Sequence, residues 1–417
     1  MNDVIVVGGG LSGMAAAITL QQKNIDAILL ESSDRLGGRV KSDFVDGFIL
    51  NRGFQVFNSA YPELKNWVDI KDLDLKPFLP GFLILSDHGK MNEVMDPSRV
   101  WSSFLSQLFS KIGSFQDKSK LFILRNRLMS ASINDIFTAE EMSTKEYLKK
   151  LDFSDSFVKK FFQPFFSGVF LENNLSSSQR MFEYSFKMFC ESNVSLPSRG
   201  IEQVSNQIAK KLIPKNTFCN EKVVSIDANN LITDSGKKYR AKKIIIATEA
   251  NSLARVYGKN INTNFKSVNC LYFSSNISPL KKNLIAINAS KNPIITHIAV
   301  LSDIAADYSP KSKSLISVSV NNLFEDSDEV LVSLVLKELQ NWFGLSVQYW
   351  NFIKCYRIRY ALPQQRSVNY SINAEKFKIN DHLYICGDHL LNGSMNNALL
   401  SGRCCAEKVL QDLNNLT

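Results

Sequence analysis

The first forty residues constrain this chain most. Val4-Ile5-Val6-Val7 is a continuous β-branched run, Gly8-Gly9-Gly10-Leu11-Ser12-Gly13 follows it, an apolar stretch comes next, and Ile28-Leu29-Leu30-Glu31 closes the unit. A run of that kind suits a parallel strand buried on both faces, so the order reads as strand, glycine turn, helix and second strand. The glycines have separate jobs: Gly8 permits the tight turn, Gly10 lets the backbone approach a pyrophosphate that a Cβ would push away, and Gly13 lets the helix pack close to the strand. Leu11 and Ser12 open the helix, whose free N–H groups and dipole favour phosphate. Glu31 ends the second strand with Ser32 beside it, where a carboxylate can accept hydrogen bonds from ribose hydroxyls. A glycine-rich turn alone says little. Here a strand precedes it, a helix follows, and the acid comes at about the 20-residue spacing that a dinucleotide site uses.

Bulk properties narrow the class. A chain of 417 residues can bury two domain cores, and 45% hydrophobic with 21% charged residues is ordinary for a soluble globular protein. The formal charge of +9 is spread over separate pairs such as Lys149-Lys150, Lys210-Lys211 and Lys281-Lys282. That argues against a nucleic-acid groove and leaves a weak attraction to an anionic membrane surface. No apolar run reaches the roughly 18 residues of a transmembrane helix, and the N-terminus reads as a strand rather than a signal peptide. The expected location is therefore the cytoplasm, with peripheral membrane contact as an option. Seven cysteines form no CxxC pair, and His88, His297, His382 and His389 show no metal-ligand spacing, so a reduced protein without disulfides or a metal site is expected.

After Glu31 come Arg35-Leu36-Gly37-Gly38-Arg39, then Asp46-Gly47-Phe48 and Asn51-Arg52-Gly53-Phe54-Gln55-Val56-Phe57. At the other end, His382 to Ile385 reads as a buried strand leading into Cys386-Gly387-Asp388. Asn392-Gly393-Ser394-Met395-Asn396-Asn397 and a helix follow it. This set resembles the flavin-containing amine oxidase superfamily, which includes monoamine and polyamine oxidases, protoporphyrinogen oxidase and bacterial-type phytoene desaturases. The resemblance is specific at both ends and at a central return (Leu196 to Gly200, Lys222 to Ile226, Ile244 to Thr248), and loose elsewhere.

The resemblance implies an α/β fold: a discontinuous, Rossmann-like FAD-binding domain of the GR2 type, with a mixed α+β substrate domain. The FAD-binding parts fall at 1–58, 192–262 and 365–417. The substrate parts fall at 59–191, read as mostly helical, and 263–364, read as strand-rich with a helix from Ser327 to Phe343. It also implies that Gly37, Gly38 and Arg39 lie over the FAD pyrophosphate, with Arg35 packed or paired at the surface. The backbone of Val223 would read the adenine edge, and Gly387-Asp388 would bind the ribityl chain. Ser394, Met395 and Asn396 would bring a helix N-terminus to the flavin pyrimidine, where amides stabilise the charge of the reduced ring. Asn397 stands where many relatives have Gly.

The shared chemistry is hydride removal from a C–H bond, so no catalytic triad or carboxylate pair is expected, and the catalytic residues stay unassigned. Gln55, Phe57, Arg357 and Tyr360, with Pro363, are candidates to line the substrate site. Phenylalanine is dense between residues 59 and 190 (Phe78, Phe82, Phe104, Phe109, Phe115 and Phe122 among others) and peaks at Phe161-Phe162-Gln163-Pro164-Phe165-Phe166 and Phe170, a run that Pro164 breaks. Phe162 and Phe166 are the leading wall candidates there. The expected function is a phytoene-desaturase-like FAD oxidoreductase for an apolar, polyene or isoprenoid substrate. The alternatives are an amine oxidase for a small or polyamine substrate, and a non-catalytic FAD redox sensor.

Overall fold

The computed structural model describes residues 2–95, 113–249 and 264–415. In chain order the principal elements begin with β1 (Asn2–Val7), α1 (Leu11–Gln21), β2 (Ala27–Leu30), the hairpin β3 (Ser42–Val45) and β4 (Phe48–Asn51), then β5 (Gly81–Ser86) and β6 (Lys90–Met95). The middle supplies α2 (Gln163–Phe170), α3 (Gln179–Glu191), β7 (Thr217–Phe218), β8 (Val223–Asp227), β9 (Asn230–Thr233) and β10 (Lys238–Ile246). The remainder is β11 (Phe265–Ser275), β12 (Ile285–Asn288), β13 (His297–Val300), β14 (Ser314–Asn321), α4 (Asp328–Phe343), β15 (Asn351–Pro363), β16 (Leu383–Ile385) and α5 (Met395–Asn414).

Two seven-stranded sheets organise these elements. The first runs β7-β2-β1-β10-β9-β8, with β16 also on β10. Its β7, β2, β1, β10 and β16 pair in parallel, and β8 and β9 form an antiparallel hairpin against β10. Alternate residues of the same strands serve two cores: Val4, Val6 and Ile245 meet α1 and α5, whereas Ile5, Val7, Ile244 and Ile246 meet the opposite layer. That two-sided burial explains the unbroken apolar runs. Helix α1 crosses α5 closely, since a Cβ on Gly402 would lie 2.0 Å from the Ser12 carbonyl oxygen.

The second sheet runs β15-β11-β14-β13-β12-β5-β6. Helix α4 covers one face, packing Leu331, Val335 and Leu339 on Leu271, Phe273, Ile316, Val318 and Val320. The other face meets β4 and the loop after it, with Tyr272 donating to the Asn51 carbonyl (2.8 Å), and meets α2 through Ser167 and Gly168.

Two readings differ from the structure. Strands β5 and β6 lie in a stretch expected to be mostly helical. A short apolar run such as Phe82-Leu83-Ile84-Leu85 is ambiguous by periodicity, and pairing with β12 decides it. Pro164 does not break its segment, because it falls at the start of α2 just after a π-helical stretch from Val158 to Phe162, where a missing N–H is tolerated. The expectations on Phe104, Phe109 and the His88 side chain lie outside the described residues. No described helix is long and apolar enough to cross a membrane.

Candidate functional site

The glycine turn after β1 is built as tightly as a Rossmann-type turn requires. Gly8 holds φ +107°, which favours glycine, and a Cβ on Gly13 would sit 1.8 Å from the Gly8 carbonyl oxygen. Gly10 has no such internal reason. A Cβ there would meet nothing nearer than the Gly38 Cα, 4.0 Å away. Gly10 is also the N-cap of α1, and no side chain caps that end and no acid stands in its first turn. An open glycine at an uncapped helix N-terminus is the cradle that a pyrophosphate fills, so these residues fit a dinucleotide cofactor.

Glu31 lies beneath the turn. Its Oε2 accepts from the Gly9 amide (2.6 Å), and its Oε1 accepts from the Ser33 amide (2.9 Å) and hydroxyl (2.6 Å), with the Ser32 hydroxyl at 3.4 Å. Lys41, which motif spacing did not single out, is buried and donates to the Ser33 hydroxyl (2.7 Å). Burial lowers its pKa, against the opposing pull of Glu31. The second glycine pair docks here: the Gly37 amide donates to the Gly9 carbonyl (2.9 Å), and Gly38 faces Gly10. Val223 begins β8 in register with Thr233, and the chain before it is tied to the end of β2 by the Glu221 amide donating to the Glu31 carbonyl (2.8 Å).

The two ends of the sequence meet at Arg39. Its guanidinium pairs with Asp388 (2.7 Å) and donates to the Ala361 carbonyl (3.0 Å), so the Gly37-Gly38-Arg39 turn and the Gly387-Asp388 turn border one groove. Arg35 instead pairs with Glu202, Asp43 and Asp34. The Gly387 amide donates to Ser401 (2.9 Å), which anchors the turn on α5. Ser394 caps α5 by accepting from the Asn397 amide (3.1 Å), placing Met395 at the first helical position. Among the described residues two buried atoms beside this motif have no hydrogen-bond partner, His389 Nε2 and Asn397 Nδ2. Buried polar groups are rarely left unpaired, so the pair marks a place for a bound group.

Two motif residues expected to serve through their backbone amides spend their side chains elsewhere, and four substrate-lining expectations are corrected. Ser12 spends its hydroxyl on the Ala398 carbonyl (2.8 Å), a helix–helix contact, so only its backbone can serve a phosphate. Asn396 is fully buried and accepts from the Glu63 (2.8 Å) and Leu64 (3.3 Å) amides, which turns it away from the groove. Phe57 pairs with Ser195 and packs into the core of the first sheet. Arg357 pairs with Asp328 and donates to the Asp326 carbonyl (2.6 Å), because strand alternation puts it on the α4 side. Phe162 and Phe166 pack on Phe182, with centroids at 5.7 and 4.7 Å, in a closed aromatic core that includes Phe170.

Other candidates gather near the groove. Gln55 donates to the Arg39 carbonyl (2.8 Å), and Tyr360 makes an edge contact with Phe265 (5.6 Å) on the strand whose Ala361 receives Arg39. Pro363 reaches the second motif, lying 3.1 Å from where a Cβ on Gly393 would be. Phe161 and Phe165 lie at the edge of that aromatic core and also pack on Phe82 of the second sheet (5.5 and 5.2 Å). Sequence spacing gave no hint of His297, a buried side chain of β13 set against Phe54 (4.7 Å). Among the described residues no cluster of three metal-ligating side chains occurs, and none of the seven cysteines forms a disulfide.

Comparison with known proteins agrees with this geometry. A chloroplastic protoporphyrinogen oxidase 1 of Arabidopsis thaliana is 29% identical over 177 residues, 40% of this chain and 30% of that protein. "Probable flavin-containing monoamine oxidase A" of Dictyostelium discoideum is 26% identical over 284 residues, 61% of this chain and 59% of its own length, so the match spans about three fifths of that relative. The fold is shared with a double mutant of putrescine oxidase, at a TM-score of 0.71 and 16% identity over 98% of this chain and 99% of that one. The family model for flavin containing amine oxidoreductases matches residues 11–410. With that match running from the glycine turn to α5, the chain belongs to the flavin-containing amine oxidoreductase family.

Proposed function

We propose that the chain is an oxidoreductase for an apolar substrate of polyene or isoprenoid type, which loses a hydride from a C–H bond to bound FAD. In this reading the amides at Gly10 to Gly13 and at Gly37-Gly38, with Arg39, hold the pyrophosphate, and Glu31 and Ser32 hold the ribose. The Val223 backbone meets the adenine, Gly387-Asp388 the ribityl chain, and Ser394-Met395 the pyrimidine end.

One observation carries the choice of substrate. Helix α2 and the π-helical turn before it lie across the face of the second sheet that looks toward the Gly53 loop, presenting Phe161, Phe165 and the bare backbone of Gly168. An apolar cover of that kind keeps water from the reacting carbon. The carboxylate that follows α2, Glu172, is already held by Lys266 (3.3 Å) and the Ser177 amide (2.7 Å), which leaves it unsuited to bind a free ammonium group. The second reading, oxidation of a small amine or polyamine, draws on the monoamine oxidase relative and the putrescine oxidase fold.

Anaerobic addition of polyenes and of amines to the yellow holoprotein, followed by flavin absorbance, separates the two. Bleaching by polyenes is the expected result; bleaching by amines alone overturns it. A flavin that photoreduces but is never reoxidised by oxygen or a quinone would instead mark a redox sensor. The cofactor assignment has its own check. Glu31→Ala and Asp388→Ala should each lose about 1.5 to 3 kcal/mol of FAD binding, roughly ten- to hundredfold in Kd by fluorescence titration. Wild-type affinity in either variant removes that residue from the site.

A further inference from the structure

His297, Ser319 and Asn321 stand together on the face of the second sheet opposite α4. His297 and Ser319 are register partners across β13 and β14, and Ser319 and Asn321 are two residues apart on β14, so all three share that face. They are 6%, 1% and 9% exposed. Among the described residues His297 Nε2 and Asn321 Oδ1 are buried without a hydrogen-bond partner, and Ser319 Oγ has only the neighbouring Cys270 thiol beside it. A fold leaves only a few such groups per hundred residues, and a cluster of them on one face calls for a hydrogen-bonding group from outside the chain.

Their surroundings fix what that group can be. Asn321 donates from Nδ2 to the Ser167 carbonyl (3.0 Å) and hydroxyl (3.1 Å), which leaves Oδ1 to accept. Gly168 closes over the imidazole, since a Cβ there would lie 3.0 Å from His297 Nδ1. Phe54, from the loop that also carries Gln55 on Arg39, makes an edge contact with the ring (4.7 Å). Burial pulls the His297 pKa down to about 4, so at neutral pH the ring is uncharged, with one nitrogen donating and one accepting. The three groups therefore offer acceptors and at least one donor, and no charge. A carboxylate would face Asn321 Oδ1 without a counter-charge, and an ammonium would lack an anion to pair with.

We propose that His297, Ser319 and Asn321 receive the single uncharged O–H or N–H group of an otherwise apolar substrate, and so determine which end of the molecule lies toward the cofactor. This rests on the apolar-substrate reading above, and goes beyond it in assigning the residues that select the substrate's polar group.

The test is titration of the holoenzyme with four probes, 1-decanol, decane, decanoate and decylammonium, read by the shift of the flavin absorbance. The expected result is that 1-decanol binds about tenfold more tightly than decane and that Ser319→Ala removes most of that preference while leaving decane unchanged. Asn321→Leu should act in the same direction. Ser319→Ala is the smaller perturbation, and retention of the wild-type flavin spectrum verifies that it folds. Equal binding of 1-decanol and decane by the wild type overturns the inference and leaves the apolar reading standing. A preference that survives both substitutions also overturns it, as it would if a buried water satisfied the three groups. Binding of decylammonium alone overturns the apolar reading and the inference together.

Discussion

The two faces of the second sheet come from the same strands and carry opposite chemistry. Toward α4, β11 and β14 present Leu271, Phe273, Ile316, Val318 and Val320, all buried in one apolar core. On the other side the intervening residues are Cys270, Tyr272, Leu315, Ser317, Ser319 and Asn321, all buried, the first three in a smaller apolar cluster. Cys270 and Ser317 satisfy each other (3.4 Å), and Tyr272 reaches Asn51, but among the described residues Asn321 Oδ1 has no partner and Ser319 Oγ has only the Cys270 thiol beside it. The first face stabilises the fold by burying apolar area, at about 25 cal/mol per Å². The second costs stability wherever a polar group lacks a partner. Within one sheet, the face next to the cofactor loop is thus the less stable one by construction, which is the pattern expected where binding rather than folding sets the residues.

The largest effect should come from breaking the apolar face. Leu339→Ala, fully buried on α4, should lower unfolding free energy by roughly 2 to 5 kcal/mol in a urea melt while the folded fraction still binds FAD. A loss of FAD affinity at saturation would show that the faces are not independent.

Acid should act through the polar face. The His297 imidazole is held neutral by burial, with a pKa near 4 against an ordinary 6.5. Between those values the unfolded chain takes up a proton that the folded protein refuses. Stability is thus intact above pH 6.5, falls as pH drops toward 4 by about 3 kcal/mol, and loses nothing further from this group below that. His297→Gln should flatten the curve across that window; an unchanged slope would show that other groups carry it.

A neighbouring pair sharpens the contrast at single-residue resolution. Val318→Ala should destabilise by about 2 kcal/mol. Ser319→Ala, one position along, should be neutral or stabilising by about 1 kcal/mol without ligand, because it deletes a buried hydroxyl with only a thiol beside it. Destabilisation by both would mean that Ser319 is partnered in solution.

The smallest expected effect is none at all. Cys355 lies on the α4 side, packed against that core, with its thiol pushed up to about 11 by burial and by Asp328. The flavin should therefore be held non-covalently, and acid precipitation should release the yellow colour into the supernatant. Colour in the pellet would place a cysteine at the flavin and reverse the assignment of faces.

Sequence alone determined the local backbone. The strand–turn–helix unit, the need for glycine at positions 8 and 13, and the buried strands from Val4, Ile244 and Leu383 all follow from backbone sterics and side-chain period, which act over a few residues. Tertiary structure alone decided where side chains go once elements pack. Ser12 and Asn396 sit in the right motifs yet spend their side chains on Ala398 and on the Glu63-Leu64 backbone. The phenylalanine run divides into Phe162, Phe166 and Phe170 in a closed core and Phe161 and Phe165 on the sheet, because a helix has two sides and only its neighbours say which is which. Arg39 meets Asp388, and His297 meets Phe54 and Gly168, across hundreds of residues of chain. Period and spacing set a residue's side of its own element, but the identity of what lies on that side is set by chain folding back from far away.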